Sequence, residues 1–136
     1  MRFKTPKGVI CLFVSGAVIK NKKALLLHRK DPNVWEFPSG RIEYGEHPSE
    51  TAKREVKEET GLDVTVEKLL AIGSTIRPDK EHEIVLCFLC KPKKGKVILG
   101  EKDHTEYKWL TLDEIKKIKN LATSVQSILK ELSNHL

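Results

Sequence analysis

The sequence predicts an α/β protein in which a mixed central β-sheet lies between helical layers. Two observations lead to this fold class. Apolar, β-branched runs typical of strands occur both before and after one charged helical segment in the middle of the chain. A second helical pattern follows the last strand-like run, toward the C-terminus. Strands on both sides of one helix, with a further helix at the end, favour a sheet that carries helices on its faces.

Strand-like runs account for most of the chain outside the helices. The predicted strands and extended segments are, in order, Val9–Ile19, Ala24–Leu27, Val34–Pro38, Val64–Thr75, Glu83–Cys90 and Glu106–Leu110, with Val97–Leu99 joined to the fifth of them by a Pro92–Lys96 turn. Gly16 in the first strand would allow a close approach of another backbone. Residues 28–33 break the pattern, and we expect them to form an exposed basic loop.

A helix is predicted between Pro48 and Gly61, because proline suits the first helical position and glycine supplies a left-handed stop. At 3.6 residues per turn, one side of this helix carries the carboxylates of Glu55, Glu58 and Glu59. Such carboxylates repel one another unless a cation lies between them, and oxygen ligands are those that Mg²⁺ or Mn²⁺ prefers. The alternative is a solvent-exposed helix face in which Arg54 forms i,i+4 ion pairs.

A second helical region is predicted from Thr111 onward. Thr111 and Glu114 have the spacing of a capping box. Apolar residues then recur at helical spacing, at Ile115, Ile118, Leu121, Val125, Ile128, Leu129 and Leu132. We expect this stripe to cover one face of the sheet.

The composition is that of a globular protein with one core. Apolar residues make up 39% and charged residues 32% of the 136 residues, and we expect a single domain over residues 1–136. The apolar runs are too short to span a bilayer and no secretory signal is evident, so a cytoplasmic protein without membrane association is expected. Three cysteines argue against a disulfide framework, and Cys87 and Cys90 are predicted to be buried thiols on opposite faces of a strand.

The segment Gly40–Leu62 contains a longer pattern. Gly40 is followed after five residues by Glu46, and after seven more by Arg54-Glu55-Val56-Lys57-Glu58-Glu59-Thr60-Gly61-Leu62. This pattern resembles the Nudix box at every fixed position. The resemblance implies the Nudix fold, an α/β/α sandwich, and its flanking features extend over most of the chain.

The resemblance also implies a reaction. Nudix hydrolases cleave a nucleoside diphosphate linked to a further group, by attack of water on a phosphorus, and they require Mg²⁺ or Mn²⁺. The metal neutralises and positions the pyrophosphate, and the carboxylates bind the metal and accept a proton. The small size resembles that of MutT-type enzymes, which convert a nucleoside triphosphate, (d)NTP, to the monophosphate, (d)NMP, and pyrophosphate.

The box positions imply roles for individual residues. Glu55, Glu58 and Glu59 resemble the metal ligands, and either Glu58 or Glu59 could be the general base. Arg54 resembles the box arginine that orients these glutamates. Glu46 resembles the loop glutamate, which organises the loop and the metal shell.

Two positions depart from the family pattern. Ser39 stands where many relatives have the first glycine of a Gly-Gly pair, whose carbonyl is a metal ligand; serine keeps that carbonyl but adopts a positive φ less readily. Asp103 precedes Trp109 by six residues, as the fourth carboxylate of MutT-type enzymes precedes a late tryptophan, but its side chain is shorter by one methylene. Glu101 and Glu106 are the competing candidates.

Further residues are predicted to contact the substrate or to belong to the core. Arg29, Arg41 and Arg77 are predicted to bind substrate, with Arg29 at the position where relatives often place a basic residue at the cleft. His104 beside Asp103 could shuttle a proton, although a solvated loop histidine is the simpler interpretation. The tryptophans, Trp35 and Trp109, are expected to belong to the core.

The substrate is left open by the sequence. A nucleotide is the expected partner, and Pro78, sixteen residues beyond Leu62, resembles a proline of the ADP-ribose group. ADP-ribose or a nucleotide sugar is therefore the alternative substrate, with dinucleoside polyphosphates as a further candidate. Because the net charge is +6, RNA 5′ ends are a further candidate substrate. The lysine clusters lie in turns without aromatic residues, so no other nucleic acid is expected. A homodimer is a candidate state, and a non-catalytic nucleotide sensor is the alternative of another class.

Overall fold

The computed structural model describes residues 1–100 and 103–136. The strands are β1 (Arg2–Thr5), β2 (Gly8–Lys20), β3 (Lys23–Arg29), β4 (Val34–Glu36), β5 (Ser39–Gly40), β6 (Val64–Ile76), β7 (His82–Pro92) and β8 (His104–Leu110). The helices are α1 (Pro48–Thr60), α2 (Leu112–Lys116), α3 (Thr123–Gln126) and α4 (Leu129–Leu132), followed by a 3₁₀ turn (Ser133–His135). No helix in the described ranges is long and apolar enough to cross a membrane.

Strand β2 is the central strand of a mixed sheet with the order β4-β3-β2-β7-β6. β1 and β5 also pair with β2, and β8 pairs with β3. The β2–β7 ladder is parallel and runs from Ile10 opposite His82 to Val18 opposite Cys90. Every other pair of named strands in the described chain is antiparallel. The predicted mixed sheet is therefore confirmed.

The sheet separates two apolar layers, because alternate side chains of its strands point to opposite faces. The layer under α1 contains Val14, Val18, Leu25, Leu27, Ala52, Val56, Leu62, Val64, Phe88 and Cys90. The layer under the C-terminal helices contains Ala17, Ala24, Leu26, Phe37, Val85, Cys87, Leu110, Ile115, Leu121, Val125, Ile128 and Leu132. Helices thus cover both faces, which confirms the α/β/α sandwich. The free thiols of Cys87 and Cys90 are buried on opposite faces, as predicted.

Helix α1 begins and ends as the sequence predicts. Its N-cap is His47, whose side chain accepts from the backbone of Ser49, while the Glu50 carboxylate accepts from the backbone N–H of His47. Gly61 ends the helix at φ +74°. The helix lies close to β2, since a Cβ at Gly16 would stand 2.7 Å from a Val56 methyl carbon. Helix α1 can therefore pack this closely on β2 because position 16 has no side chain.

Two local predictions are wrong, and one strand was not predicted. β3 continues through His28 and Arg29, because both residues pair with β4 and β8, so the predicted basic loop begins later. Val97–Leu99 is not a strand; its outer residues pack on the α1 layer and Ile98 is exposed. The strand β1 was not predicted, since its four residues are all exposed and carry no apolar alternation.

The C-terminal region is a broken helix rather than a continuous one. α2 starts at the predicted capping box of Thr111 and Glu114. The chain then becomes extended, because Trp35 hydrogen-bonds through its N–H to the Asn120 carbonyl (3.0 Å) and through its carbonyl to the Ala122 N–H (2.9 Å). These two bonds replace helical ones, so a new helix begins at Thr123. The apolar stripe still covers the sheet, as expected.

Candidate active site

A cavity of about 500 Å³ opens where the acidic side of α1 meets the ends of β3, β5 and β8. We call it the carboxylate cavity. It is lined by Arg29, Ser39, Glu55, Glu58, Glu59, Gly100, Asp103 and His104. All five predicted metal ligands therefore lie around one space, together with one of the predicted substrate-binding arginines. The structure brings them there from four separate parts of the chain.

Glu55 and Glu59 form the inner wall of the carboxylate cavity. Glu59 accepts a hydrogen bond from the backbone N–H of Ser39 at 3.1 Å. Burial raises the pKa of the Glu59 carboxyl well above its usual range, and a hydrogen bond with the neighbouring Glu55 and its charge raise it further. Gly40 makes room for this pair, because a Cβ there would lie 2.2 Å from the Glu55 carboxyl carbon. The glycine at position 40 is thus required by a side chain of α1.

Arg54 holds the glutamates from the outer side. Its Nε and Nη2 donate to the two oxygens of Glu46, at 2.8 and 3.1 Å, and its Nη1 donates to Glu55 at 2.7 Å. Nη1 also lies 3.3 Å from Glu58. The Arg54 hydrogen bonds, and a further one from Thr51, lower the pKa of Glu46 to about 2. Arg54 therefore ties the loop before α1 to the carboxylates on the helix.

A buried histidine supports the opposite side of the carboxylate cavity. The His104 side chain is only 3% exposed, and its Nε2 donates to Glu36 at 2.8 Å. Its Nδ1 lies 3.6 Å from Glu59. The interpretation of His104 as a solvated loop residue is therefore wrong, because β8 begins at this residue and turns the ring inward. Glu36 was not predicted at all, since an isolated glutamate in a short aromatic strand carries no signal in the sequence.

Arg29 connects His104, through Glu36, to Asp103 at the edge of the carboxylate cavity. It donates to the same Glu36 oxygen through Nε at 3.1 Å, and its Nη1 lies 3.7 Å from Asp103. Burial opposes the charge of Arg29, but Glu36 more than compensates and raises its pKa. Asp103 is exposed and lines the carboxylate cavity, whereas Glu106 points from the exposed part of β8 and does not line it. The third candidate, Glu101, lies outside the described residues.

The remaining predicted residues lie around a second cavity. This second cavity, of about 780 Å³, shares Arg29 and Ser39 with the carboxylate cavity and includes Arg41 and Arg77. Arg41 is exposed, and its carbonyl accepts from Arg54. Arg77 forms ion pairs with Asp79, Glu81 and Glu83, so its charge is already engaged.

The two tryptophans lie at the edges of the core. Trp35 is half-buried against the C-terminal layer, and Trp109 against the α1 layer. The ring of Trp35 lies 5.0 Å from that of His28, and the Lys108 amino group lies 5.0 Å from its centroid. Neither tryptophan lines the carboxylate cavity.

The sequence that forms this site matches the model of a known protein family. The family model described as the NUDIX domain matches residues 11–132, which is most of the chain. The chain belongs to the Nudix family of hydrolases. Its Nudix box is therefore the segment that forms β5, the loop after it and helix α1.

Individual relatives support the same assignment. A MutT-like protein of Streptomyces ambofaciens is 36% identical over 103 residues, which cover 75% of this chain and 64% of the relative. An ADP-ribose pyrophosphatase of Methanocaldococcus jannaschii is 33% identical over 124 residues, covering 87% of this chain and 70% of the relative. The chain thus spans about two thirds of the length of these two relatives.

A solved structure supports the fold independently. The crystal structure of a MutT NUDIX hydrolase from Burkholderia pseudomallei superposes with a TM-score of 0.79 at 22% identity, covering 90% of this chain and 97% of that one. At 22% identity, this structural similarity shows the fold alone.

Nudix hydrolases generally use a divalent metal ion, typically Mg²⁺, and the donor set of this chain fits one. Residues 1–100 and 103–136 contain no cluster of three acidic, histidine or cysteine side chains preformed as a metal cage. Mg²⁺ does not need one, because it is usually held by one or two carboxylates, with waters and substrate phosphates completing its shell. Glu55 and Glu59 crowd together inside the Nudix box, and a cation beside them would remove their repulsion.

Proposed function

We propose that this chain is a Mg²⁺- or Mn²⁺-dependent pyrophosphohydrolase that converts (d)NTP to (d)NMP and pyrophosphate by attack of water on phosphorus. The observation that carries this proposal is the convergence of Glu55, Glu58, Glu59, Ser39 and Asp103 on one cavity. These oxygen donors come from three parts of the chain, namely β5, α1 and the residue before β8, so their meeting is not explained by helix periodicity alone.

The metal, when bound, neutralises the phosphates and lowers the pKa of a coordinated water. The residues of the chain divide the remaining tasks. Glu55 and Glu59 are partly buried and held by Arg54 and Ser39, which suits them to binding the metal. The Glu58 side chain is 57% exposed at the cavity mouth, so water can reach it, and we assign to it the proton from the attacking water.

Arg29 is placed to meet the substrate phosphates. Its guanidinium lines both cavities and is held against Glu36, so its position is fixed before substrate binds. A planar guanidinium forms bidentate contacts with phosphate oxygens, and the charge would offset that of the departing pyrophosphate. Arg54 and Glu46 have no substrate contact in this proposal, since they bind each other and orient Glu55.

The experiment that tests the proposal is a hydrolysis screen with Mg²⁺. Purified protein is incubated with dNTPs, NTPs, ADP-ribose, nucleotide sugars and diadenosine polyphosphates, with and without EDTA, and the products are identified. Nucleoside monophosphate with pyrophosphate supports the proposal. Release of inorganic phosphate alone contradicts it, and nucleotide binding without any Mg²⁺-dependent cleavage indicates a sensor instead.

A second candidate function is hydrolysis of ADP-ribose. Two observations favour it: the name of the Methanocaldococcus relative, and the position of Pro78 in the wall of the second cavity. The same screen separates the two candidates, because ADP-ribose would yield AMP and ribose 5-phosphate.

A further inference from the structure

The second cavity differs in character from the carboxylate cavity. Its walls include apolar side chains from β2, from β4 and the loop before it, from the loop after β6 and from the segment before α3, namely Phe13, Pro32, Val34, Pro78, Leu121 and Ala122. It joins the carboxylate cavity at Arg29 and Ser39. A flat, partly apolar group attached to the phosphates at Arg29 would therefore lie between these walls.

One buried carboxylate faces this apolar space. Glu83 lines the second cavity, and its residue is only 5% exposed. Its Oε1 accepts from the hydroxyl of Thr123 at 2.9 Å. Its Oε2 lies 3.6 Å from Arg77, which is longer than a hydrogen bond, and has no shorter polar contact among the described residues. A carboxylate has about four acceptor sites, so Glu83 retains capacity to accept hydrogen bonds.

The Arg77 guanidinium lies beside this carboxylate as an ion-pair partner. Arg77 also pairs with Asp79 at 2.9 Å and with Glu81, so its own position is fixed from the solvent side. An ionised carboxylate can only accept hydrogen bonds, and any group that presents an acceptor to a buried one pays a desolvation cost.

We propose that the second cavity binds the base of the nucleotide and that Glu83 selects a guanine-type base. Among the common bases, guanine alone presents two adjacent donors, N1–H and the 2-amino group, which match the two oxygens of a carboxylate. Adenine and cytosine place a ring acceptor beside their amino group, and uracil flanks its single N–H with two carbonyls. This inference rests on the proposed function in one respect. The proposed function places the phosphates in the carboxylate cavity, and the base then lies in the second cavity.

The test compares GTP, ITP and ATP as substrates of the wild-type protein and of two variants. ITP lacks only the 2-amino group, so it isolates one of the two hydrogen bonds. We expect kcat/KM to fall from GTP to ITP and again to ATP, by roughly ten- to hundredfold overall. Glu83→Gln should abolish this preference. Glu81→Gln is the matched control, because it removes another partner of Arg77 that does not line the second cavity.

A binding measurement keeps the test independent of catalysis. GMP, IMP and AMP are titrated into each protein by calorimetry without metal, and circular dichroism checks that the variants are folded. Equal affinities of wild-type protein for GMP and AMP would overturn the inference even if triphosphates are cleaved. Equal losses in Glu81→Gln and Glu83→Gln would also overturn it, since the effect would then come from Arg77. Selective GMP binding without any triphosphate cleavage would leave the inference standing and contradict the proposed function.

Discussion

The three glutamates on the acidic side of α1 are held in different ways. The side chains of Glu55 and Glu59 are 14% and 17% exposed and are fixed by Arg54, Ser39 and each other. Glu58 is exposed, and its contact with Arg54 is long. A change at Glu58 should therefore affect chemistry more than folding.

We predict that Glu58→Gln lowers kcat by about 10²- to 10⁴-fold, because an amide cannot accept the proton of the attacking water. The melting temperature should change little, since an exposed ion pair contributes at most about 1 kcal/mol. Steady-state kinetics with Mg²⁺ and thermal unfolding measure the two effects. Glu67→Gln, at an exposed position of β6, is the control. Turnover by Glu58→Gln at the wild-type rate would show that the base has been assigned wrongly.

His104 makes a different kind of contribution, because it contacts carboxylates on both sides. It donates to Glu36 at 2.8 Å and its other ring nitrogen lies 3.6 Å from Glu59, so we expect it to position Glu59 beside the carboxylate cavity. We predict that His104→Phe raises the Mg²⁺ concentration for half-maximal activity, or lowers kcat, by about 10- to 100-fold. His104→Gln keeps a donor of similar reach and should recover part of the loss. If both variants lost only thermal stability, His104 would have a purely structural role.

The residue scale also shows what a single sequence can predict of a site. Glu55, Glu58 and Glu59 were predicted together because helix periodicity places them on one side. Their neighbours Glu36 and His104 are 68 residues apart and meet only through the pairing of β3 with β4 and β8. No local pattern encodes such a contact.

At the scale of elements, α1 is seated on the sheet through two glycines with different neighbours. Gly40 on β5 faces the carboxyl end of Glu55, which is the far end of a long side chain and can move aside by rotation about its own bonds. Gly16 on β2 faces a methyl group of Val56 in the buried core. The two positions should therefore separate effects on the site from effects on stability.

We predict that Gly40→Ala lowers activity about a hundredfold, because Glu55 must leave its position. The melting temperature should remain close to that of the wild type. Gly16→Ala should instead destabilise the protein by about 1–3 kcal/mol, since the Val56 methyl cannot yield without disturbing the core. Denaturant unfolding and kinetics on both variants test the contrast. A Gly40→Ala protein with full activity would mean that Glu55 is not required where the structure places it.

The elements themselves were predicted unevenly. Most strands and α1 follow from apolar patterns and caps. The C-terminal helix was predicted as one region, but hydrogen bonds from Trp35 to residues 120 and 122 interrupt it. Helical spacing of the apolar residues survives this interruption, because the short helices still turn the same side chains to the sheet. Periodicity alone therefore could not reveal the break.

For the whole molecule, a bound cation should act as a stabilising ligand. Binding to the folded state alone raises the free energy of unfolding by about 2.7 kcal/mol at a concentration 100 times the Kd. We predict that millimolar Mg²⁺ raises the melting temperature by several degrees and that EDTA reverses the effect. In Glu55→Gln the shift should be largely lost, whereas Glu67→Gln should retain it. An equal shift in all three proteins would mean that Mg²⁺ acts elsewhere.

The parallel ladder between β2 and β7 is a pairing of segments that lie far apart in the sequence. It joins Ile10 to His82 and Val18 to Cys90, so its partners are separated by 72 positions along the polypeptide. β7 supplies Val85 and Cys87 to one apolar layer and Phe88 and Cys90 to the other. A nascent polypeptide emerging from the ribosome contains every acidic residue of the Nudix box well before it contains β7. The carboxylate cavity is therefore complete only after β7, which contributes no side chain to it, and β8, which brings His104, have joined the sheet.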